Sequence, residues 1–408
     1  MARSPLTLAA TVTSALPGAS VVDVRALTEH AAGRFDSAVA SLADGSSVVV
    51  RVAVDADAAA ELDAESRALQ ALTGGVRALL PFAAPVLHGR LAQQSGTAVV
   101  VDHLPGYRVD AAHVPSGRGA ATSLGAAIAA VHALPESVAR AGGLPCLSAV
   151  QVRDDVSRLL DRVAASHHRV PVSLLSRWSR ALAADRLWLF EPTVTLGGTT
   201  ADAFLIEDRG GVPTVSGLLV WHGLGVGDPA VDLRWLSSAP DAADDVLGAY
   251  LSASARTPDA ALGVRARLYA ELEFAKWLVH GHDAGADEIV EDAVGLLTAL
   301  ADTVVDDDLL AEDGSDIDDA LALIGRVPVA PASDADTSLQ TDAYQAGDTS
   351  LFAEAAVDGP AASAPDPEET APLEMSDWVS DSARDQDDDR DGDADRAAEA
   401  ALRRWASS

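Results

Sequence analysis

Apolar and polar residues alternate in three short runs near the start of the chain, and this two-residue period constrains the fold more than any other feature. The runs are SVVDVRAL (20–27), GRFDSAVASL (33–42) and SSVVVRVAV (46–54). Alternation sends successive side chains to opposite faces of a sheet, so each run is predicted to be a strand. The ADGSS turn before the third run predicts a hairpin, in which Gly45 can adopt a positive φ.

A helix and a second hairpin complete this strand-rich region. Residues 55–75 repeat leucine at helical spacing (Leu62, Leu69 and Leu72) and end in a Gly-Gly pair. The segment 84–106 then has the pattern of two strands joined by a turn. The first 20 residues are predicted to form an amphipathic helix, because threonines interrupt their apolar stretch and no signal-peptide cleavage site is clear. Residues 1–105 therefore predict a small antiparallel sheet packed with one helix.

The pattern becomes mostly helical from residue 106. Amphipathic segments are predicted at 116–134, 150–167, 171–188, 242–254, 262–285 and 286–305, with a short β-rich interlude at 193–222. These patterns indicate an α+β fold with a helical region over 106–305. Residues 306–330 are interpreted as a connecting segment, for which a short helix is one interpretation.

Residues 331–408 are rich in Asp, Glu, Pro, Ser and Ala and have little apolar periodicity. Such a composition buries too little apolar surface to offset chain entropy, so this acidic tail is predicted to be disordered. Its last stretch, DRAAEAALRRWASS, has the charge pattern of a short helix. Two interpretations remain open: a solvating tail with a frayed helix, which composition favours, or a docking motif around Trp405.

Charge and cysteine content restrict the classes of partner and compartment. The formal net charge is −33, and such a field repels phosphate backbones and anionic lipid surfaces, so neither nucleic acid nor a membrane is an expected partner. No apolar run approaches the ~20 residues of a membrane helix. The single cysteine, Cys146, fits a reducing cytoplasm. Lys276 is the only lysine among 29 basic residues, a bias typical of GC-rich bacterial genomes such as those of actinobacteria.

Five segments carry a resemblance to a known family. They are SSVVVRVAV with Arg51, AESRALQAL with Glu65, the hinge-like AVVVDHLPGYRV, LGAAIAAVHAL with His132, and VSGLLVWHGLGVGDPAVDL with Asp228 and Asp232. Together, over about residues 20 to 305, they resemble the aminoglycoside and macrolide phosphotransferases, which have a protein-kinase-like bilobal fold. The resemblance implies an N-lobe at 1–105 and a helical C-lobe at 106–305, with nucleotide and substrate bound between them.

The positions that would carry the chemistry are degenerate. Alignment with the family's HGDLxxxN loop places Gly197 where the catalytic aspartate should stand and Asp202 where the metal-binding asparagine should stand. Val220 takes the place of the metal-binding aspartate before Trp221, and Arg51 takes the place of the ATP-phosphate lysine. The sequence contains no asparagine at all, so that ligand is missing in any register. The resemblance thus implies no catalytic residue and no metal site.

Three hypotheses follow. The first is a pseudokinase that works by binding a small molecule or a protein partner, with a cleft lined by Arg51, Glu65, Asp102 to Leu104, and Asp202. Weak binding of ATP or GTP without magnesium is one expectation for this cleft, and Glu65 is expected to pair with Arg51. The second is an active small-molecule phosphotransferase in which Asp202 is a metal ligand. The third is an interaction protein that recruits a partner through its acidic tail.

Three other features are expected to be structural or exposed. Asp228 and Asp232 are predicted to brace loops and to cap the next helix. His222 is interpreted as an exposed loop residue, although its place beside Trp221 makes it a candidate base. The pairs His167-His168 and His280-x-His282 lack a third metal-binding partner at useful spacing and are interpreted as surface residues.

Overall fold

The computed structural model describes residues 3–27, 34–93, 96–256 and 259–310. The chain divides into two units, Met1–Arg326 and Val327–Ser408. The whole second unit lies outside the described residues, and so do the predicted acidic tail and most of the predicted connecting segment. The domain boundaries at 105, 305 and 330 therefore stay predictions.

An antiparallel five-stranded sheet forms the N-lobe, in the order β1-β2-β3-β5-β4. The predicted strands and hairpins are confirmed, including the turn at Gly45, whose φ is 87°. In chain order the strands are β1 (Val21–Ala26), β2 (Phe35–Leu42), β3 (Ser47–Ala53), β4 (Leu87–Gln93) and β5 (Gly96–Asp102).

Two helices pack against this sheet. Helix α1 (Pro5–Ala15) begins at the N-cap Ser4 and packs Leu8 and Val12 onto the sheet side chains Ala38, Val50 and Val100. Helix α2 (Ala56–Ala71) begins at Asp55, whose carboxylate accepts the backbone amide of Ala58 over 2.7 Å. Its Leu62 packs in a separate cluster with Val99. The amphipathic first helix predicted from the sequence is thus part of the N-lobe core.

Helices dominate the rest of the described chain. In order they are α3 (Gly74–Arg77), α4 (Ala120–His132), α5 (Ser137–Ala141), α6 (Ala149–Ala165), α7 (Val172–Ala183), α8 (Ala243–Ala253), α9 (Leu262–Ala284) and α10 (Asp287–Thr303). The six predicted helical segments are confirmed as α4 and α6 to α10. Helices α4 and α8 approach so closely that a Cβ on Gly125 would lie 2.2 Å from the carbonyl oxygen of Val246, so only glycine fits there.

Two small strand pairs lie within this helical C-lobe. β7 (Phe204–Arg209) and β8 (Val212–Leu218) form an antiparallel hairpin. β6 (Thr193–Thr195) pairs with β9 (Gly225–Gly227), so that Thr195 lies opposite Gly225. This second pairing joins segments about 30 residues apart and brings the two degenerate motifs together.

No helix within the described residues is both long and apolar enough to cross a bilayer. The cytoplasmic localisation stays a prediction.

Candidate functional site

A polar pocket of about 250 Å³ lies where β6 and β9 bring the two motifs together. The structure gathers three predicted positions, Gly197, Asp202 and Val220, in its wall. Five further side chains contribute polar groups or positive charge to the same wall; they are Arg108, Thr199, Thr200, His222 and Arg234. The pocket is therefore the place where a phosphotransferase would carry its catalytic groups.

The loop after β6 has room for no side chain at two successive positions. Gly197 and Gly198 have φ values of 72° and 94°, a conformation that favours glycine. A Cβ on Gly197 would lie 2.8 Å from the carbonyl oxygen of Gly223. Because both residues lack side chains, shifting the alignment by one residue does not supply a catalytic base.

Arg234 occupies the space beside this loop, and the sequence did not predict its role. Its Nη1 atom lies 1.2 Å from the position that a Cβ on Gly198 would take. The guanidinium also lies 3.5 Å from the carbonyl oxygen of Gly197 and 3.5 Å from the Glu273 carboxylate. The sequence did contain an indirect sign of this arrangement. Gly197 and Gly198 stand where the family has larger residues, and the missing side chains leave volume that another side chain can occupy.

Asp202 is the only carboxylate in the wall of the pocket among the described residues, and other groups bind it. Arg108 donates to its backbone carbonyl over 2.6 Å and to its carboxylate over 3.1 Å. The hydroxyl of Thr200 donates to the other carboxylate oxygen. The opposite position, Val220, has no oxygen ligand to offer. Mg²⁺ is usually held by one or two carboxylates together with phosphates and waters, and this pocket supplies one carboxylate that Arg108 and Thr200 already bind, so the residues present fit this ion poorly.

Other metals also lack a candidate site in the described residues. Within the part of the chain that the structure describes, no three His, Cys, Asp or Glu side chains converge on a point that could hold a metal ion.

Asp232 stabilises the degenerate loop through hydrogen bonds to its backbone. It is fully buried and accepts the backbone amides of Leu196 and Gly198, each over 2.6 Å. His132 Nε2 lies 3.1 Å from the same carboxylate, and His132 Nδ1 lies 2.9 Å from the Tyr250 hydroxyl. Burial raises the pKa of Tyr250 to about 12, and the negative charge of Asp232 makes a smaller contribution in the same direction. The predicted loop-bracing role of Asp232 is confirmed, and His132 belongs to the same buried network.

Asp228 has the second architectural role that the sequence predicted. Its carboxylate accepts the backbone amide of Ala230 over 2.9 Å and so caps the 3₁₀ helix Pro229–Ser238. Arg265, which has no solvent exposure, donates to it over 2.7 and 3.0 Å, and the Tyr269 hydroxyl donates over 2.7 Å. Burial, reinforced by Asp228, raises the pKa of Tyr269 well above its usual range.

Arg51 and Glu65 form the ion pair expected from the sequence, with 2.5 Å between Nη1 and Oε2. The Arg51 guanidinium lies over the Phe35 ring, 4.3 Å from its centroid. Burial raises the pKa of the Glu65 carboxyl, while the positive charge of Arg51 acts in the opposite direction. This pair therefore keeps the arrangement of a lysine–glutamate pair, with a planar guanidinium in place of the ammonium.

The sequence model of the phosphotransferase enzyme family, APH, matches residues 27–264. The chain belongs to this family. No curated protein sequence matches it significantly.

Solved structures of phosphotransferases share the fold. Macrolide 2'-phosphotransferase MphH from Brachybacterium faecium, solved as the apoenzyme, is 25% identical, with 72% of this chain and 98% of that chain covered and a TM-score of 0.59. The GDP complex of aminoglycoside 2'-phosphotransferase-IIIa is 16% identical, with 73% and 98% covered and a TM-score of 0.60. The GDP and kanamycin complex of APH(2")-IIia is 17% identical, with 72% and 98% covered and a TM-score of 0.58.

Asp102 of the predicted cleft and the predicted loop residue His222 have structural partners in this APH family member. Asp102 accepts the backbone amide of Val86 over 2.9 Å and lies 2.5 Å from His88 Nε2, and it does not line the polar pocket. His222 is 41% exposed, as expected for a loop residue, yet it lines the polar pocket and lies 3.5 Å from a carboxylate oxygen of Glu61. His222 therefore joins the wall of the polar pocket to Glu61 on helix α2, which also carries Glu65.

Two of the four histidines in the pairs His167-His168 and His280-x-His282 meet on the surface of this family member. His168 Nε2 lies 3.2 Å from His282 Nδ1, a contact that sequence spacing does not reveal. They remain surface residues, as predicted.

An apolar pocket of about 460 Å³ lies on the other side of the Gly197 loop. Helix α6 contributes Val152, Val156 and Leu159, helix α9 contributes Tyr269 and Leu272, and β9 forms its base. Two carboxylates reach it, and each already has a partner: Asp155 pairs with Arg158, and Asp228 binds Arg265. The pocket therefore offers mainly apolar surface to a ligand.

Proposed function

We propose that this chain is a pseudokinase of the phosphotransferase family, which binds a small molecule and does not transfer phosphate. The single observation that supports the proposal is the content of the polar pocket. Gly197, Gly198 and Val220 offer no side-chain oxygen ligand, and Arg234 fills the space beside Gly198. Phosphoryl transfer depends on metal ions placed between phosphates and on a residue that orients the nucleophile, and this pocket supplies neither group.

The apolar pocket supports binding as the remaining activity. Its volume of about 460 Å³ lies within the usual range for small-molecule sites, ~300–1,000 Å³. A ligand rich in amino groups would find Asp155 and Asp228 already paired, whereas an apolar ligand would bury surface against Val156 and Leu272. We infer that the ligand is largely apolar, of the macrolide kind rather than the aminoglycoside kind.

Nucleotide is proposed as at most a weak ligand. Arg51 retains a positive charge in the N-lobe, but it is bound to Glu65 and stacked on Phe35. The polar pocket offers a magnesium ion a single carboxylate, Asp202, which already accepts hydrogen bonds from Arg108 and Thr200. ATP or GTP would therefore bind without magnesium.

Calorimetric titration together with a phosphoryl-transfer assay tests the proposal. ATP and GTP are titrated with and without Mg²⁺, and turnover is measured against a panel of macrolides and aminoglycosides. We expect no turnover with any substrate and no tightening of nucleotide binding by Mg²⁺. Magnesium-dependent turnover that falls in Asp202→Ala would overturn the proposal in favour of an enzyme with rearranged acids.

A matched pair of substitutions on α6 tests the apolar pocket. Val156 lines the pocket and is 7% exposed, whereas Val150 on the same helix is 68% exposed and does not line it. Val156→Phe should weaken macrolide binding by at least about tenfold, because the ring takes up volume that the ligand needs. Val150→Phe should bind like the wild type. Equal binding by the two variants would contradict the assignment of this pocket.

A further inference from the structure

The polar pocket has an excess of positive charge that the fold does not use. Arg108, Arg234 and His222 line it, and Asp202 is its one carboxylate among the described residues. Arg108 binds Asp202 through both the carbonyl and the carboxylate, and that ion pair is neutral. Arg234 therefore supplies the positive charge that a ligand in the polar pocket would contact.

Arg234 lacks a close partner although it is largely shielded from water. Its side chain is 18% exposed. Within the residues that the structure describes, its polar contacts are the Gly197 carbonyl and the Glu273 carboxylate, both at 3.5 Å. Glu273 lies closer to Lys276, at 2.7 Å. A guanidinium has five N–H donors, so Arg234 retains donors without a close acceptor among the described residues, and these are available to a ligand.

A neutral donor lies in the wall of the same pocket. Thr199 is 7% exposed and lines the pocket, and its buried hydroxyl has no hydrogen-bond partner within the described chain. Buried hydroxyls in folded proteins normally have a partner, so an orphan at a pocket wall indicates a ligand atom or a water. A hydroxyl donor and a guanidinium fork together match the oxygens of a tetrahedral oxyanion.

We propose that this pocket binds a phosphate group, either free or carried by a larger molecule, directly on Arg234 and without a divalent cation. The guanidinium supplies positive charge beside the degenerate loop, and it would neutralise phosphate charge through paired N–H···O bonds. Thr199 donates a further hydrogen bond. The proposal deepens the metal-free binding proposed above and rests on that loss of magnesium. It does not depend on the ligand of the apolar pocket.

Calorimetric titration of the full chain with inorganic phosphate and with ADP, each in EDTA and in MgCl₂, tests this site. Both probes should bind in EDTA, and Mg²⁺ should not tighten either one. Binding of ADP alone would still support the site and identify a phosphate carried by a nucleotide. Binding of phosphate alone would support it and identify the free anion.

Three substitutions assign the binding to the proposed residues. Arg234→Gln should weaken it by at least about tenfold, and Arg234→Lys by less, because the charge remains and the fork is lost. Arg140→Gln removes an exposed arginine of α5, which pairs with Glu136, and should bind like the wild type.

Thr199→Val is a variant in which weaker binding can be distinguished from misfolding. Replacing an unpaired buried hydroxyl by a methyl group of the same shape should leave the melting temperature unchanged or raise it. The same variant should bind the probe several-fold more weakly. No binding in EDTA, binding that requires Mg²⁺, or wild-type affinity in Arg234→Gln would each overturn the proposal. The predicted absence of phosphoryl transfer would be unaffected by that failure and is measured separately.

Discussion

The Nη1 atom of Arg234 lies 1.2 Å from the point where a Cβ on Gly198 would stand. A side chain at position 198 and the arginine in its present place are therefore mutually exclusive. Because the family's catalytic aspartate belongs in this loop, at position 197 or 198 depending on the register, the arginine excludes the base from one of the two positions. At the other, a Cβ would meet the Gly223 backbone.

Restoring an aspartate in this loop should destabilise the protein. Gly198→Asp must place a Cβ at φ 94° and displace Arg234, which should lower the free energy of unfolding by about 2–4 kcal/mol. The double variant Gly198→Asp/Arg234→Ala should recover on the order of 1 kcal/mol, because the clash is removed. Urea denaturation of the two single variants and the double variant measures this coupling.

Gly210→Asp is the matched control for that cycle. Gly210 also has a positive φ, 62°, but no atom lies within 4 Å of its Cβ position. It should show the backbone strain without the clash and without coupling to Arg234. If Gly198→Asp costs no more than Gly210→Asp, the guanidinium does not occupy the site.

Removing the charge of Asp232 should release the loop. The carboxylate accepts two backbone amides over 2.6 Å and is fully buried. Asp232→Asn removes the negative charge and places an amide NH₂ group against at least one of these backbone donors. Removing one partner of a buried charged interaction lowers the free energy of unfolding by about 3–5 kcal/mol. Thermal and urea denaturation should show this loss. Asp110→Asn, at a carboxylate that is 78% exposed, should leave stability within about 0.5 kcal/mol of the wild type. Equal effects of the two changes would contradict the bracing role.

Helix α1 should contribute to the stability of the N-lobe. Leu8 is 2% exposed and packs on the sheet, whereas Leu6 on the same helix is 77% exposed. Leu8→Ala should cost about 2–5 kcal/mol through lost burial and a residual cavity, and Leu6→Ala less than about 0.5 kcal/mol. Urea unfolding of the two variants makes the comparison, and a result in the opposite order would show that α1 does not pack as described.

Glu65 should make stability depend on pH in an unusual direction. Burial raises its pKa in the folded protein, so the folded state binds this proton more tightly than the unfolded state. The favourable contribution is complete below the unfolded pKa and is lost as the pH rises through the folded pKa. Glu65→Gln cannot titrate. The unfolding free energy of the variant minus that of the wild type should therefore increase as the pH rises above about 4, the range in which the unfolded carboxyl ionises.

Glu288→Gln is the control for that titration. Glu288 is exposed on α10, and its removal should give a difference that changes little with pH. A difference for Glu65→Gln that is flat or falls with rising pH would show that Arg51 outweighs burial at this site.

Short-range patterns in the sequence predicted most of the fold. The alternation in 46–54 and the leucine spacing in 55–75 indicate which face of each strand or helix is buried. Because strands and helices in general bury one face, this pattern is enough to predict the type of element. The loss of chemistry at Gly197 and Val220 could also be predicted, because a missing oxygen ligand is a property of the residue type and needs no coordinates.

The arrangement of charges in the pocket was decided only by the tertiary structure. Arg234 reaches the Gly198 position, and Arg108 binds Asp202 across 94 residues of sequence. His168 meets His282 in the same way, across 114 residues. Such contacts depend on how α6, α9 and the β6–β9 pair pack against one another. Because a local period records burial and not the partner that covers it, no single segment contains that information.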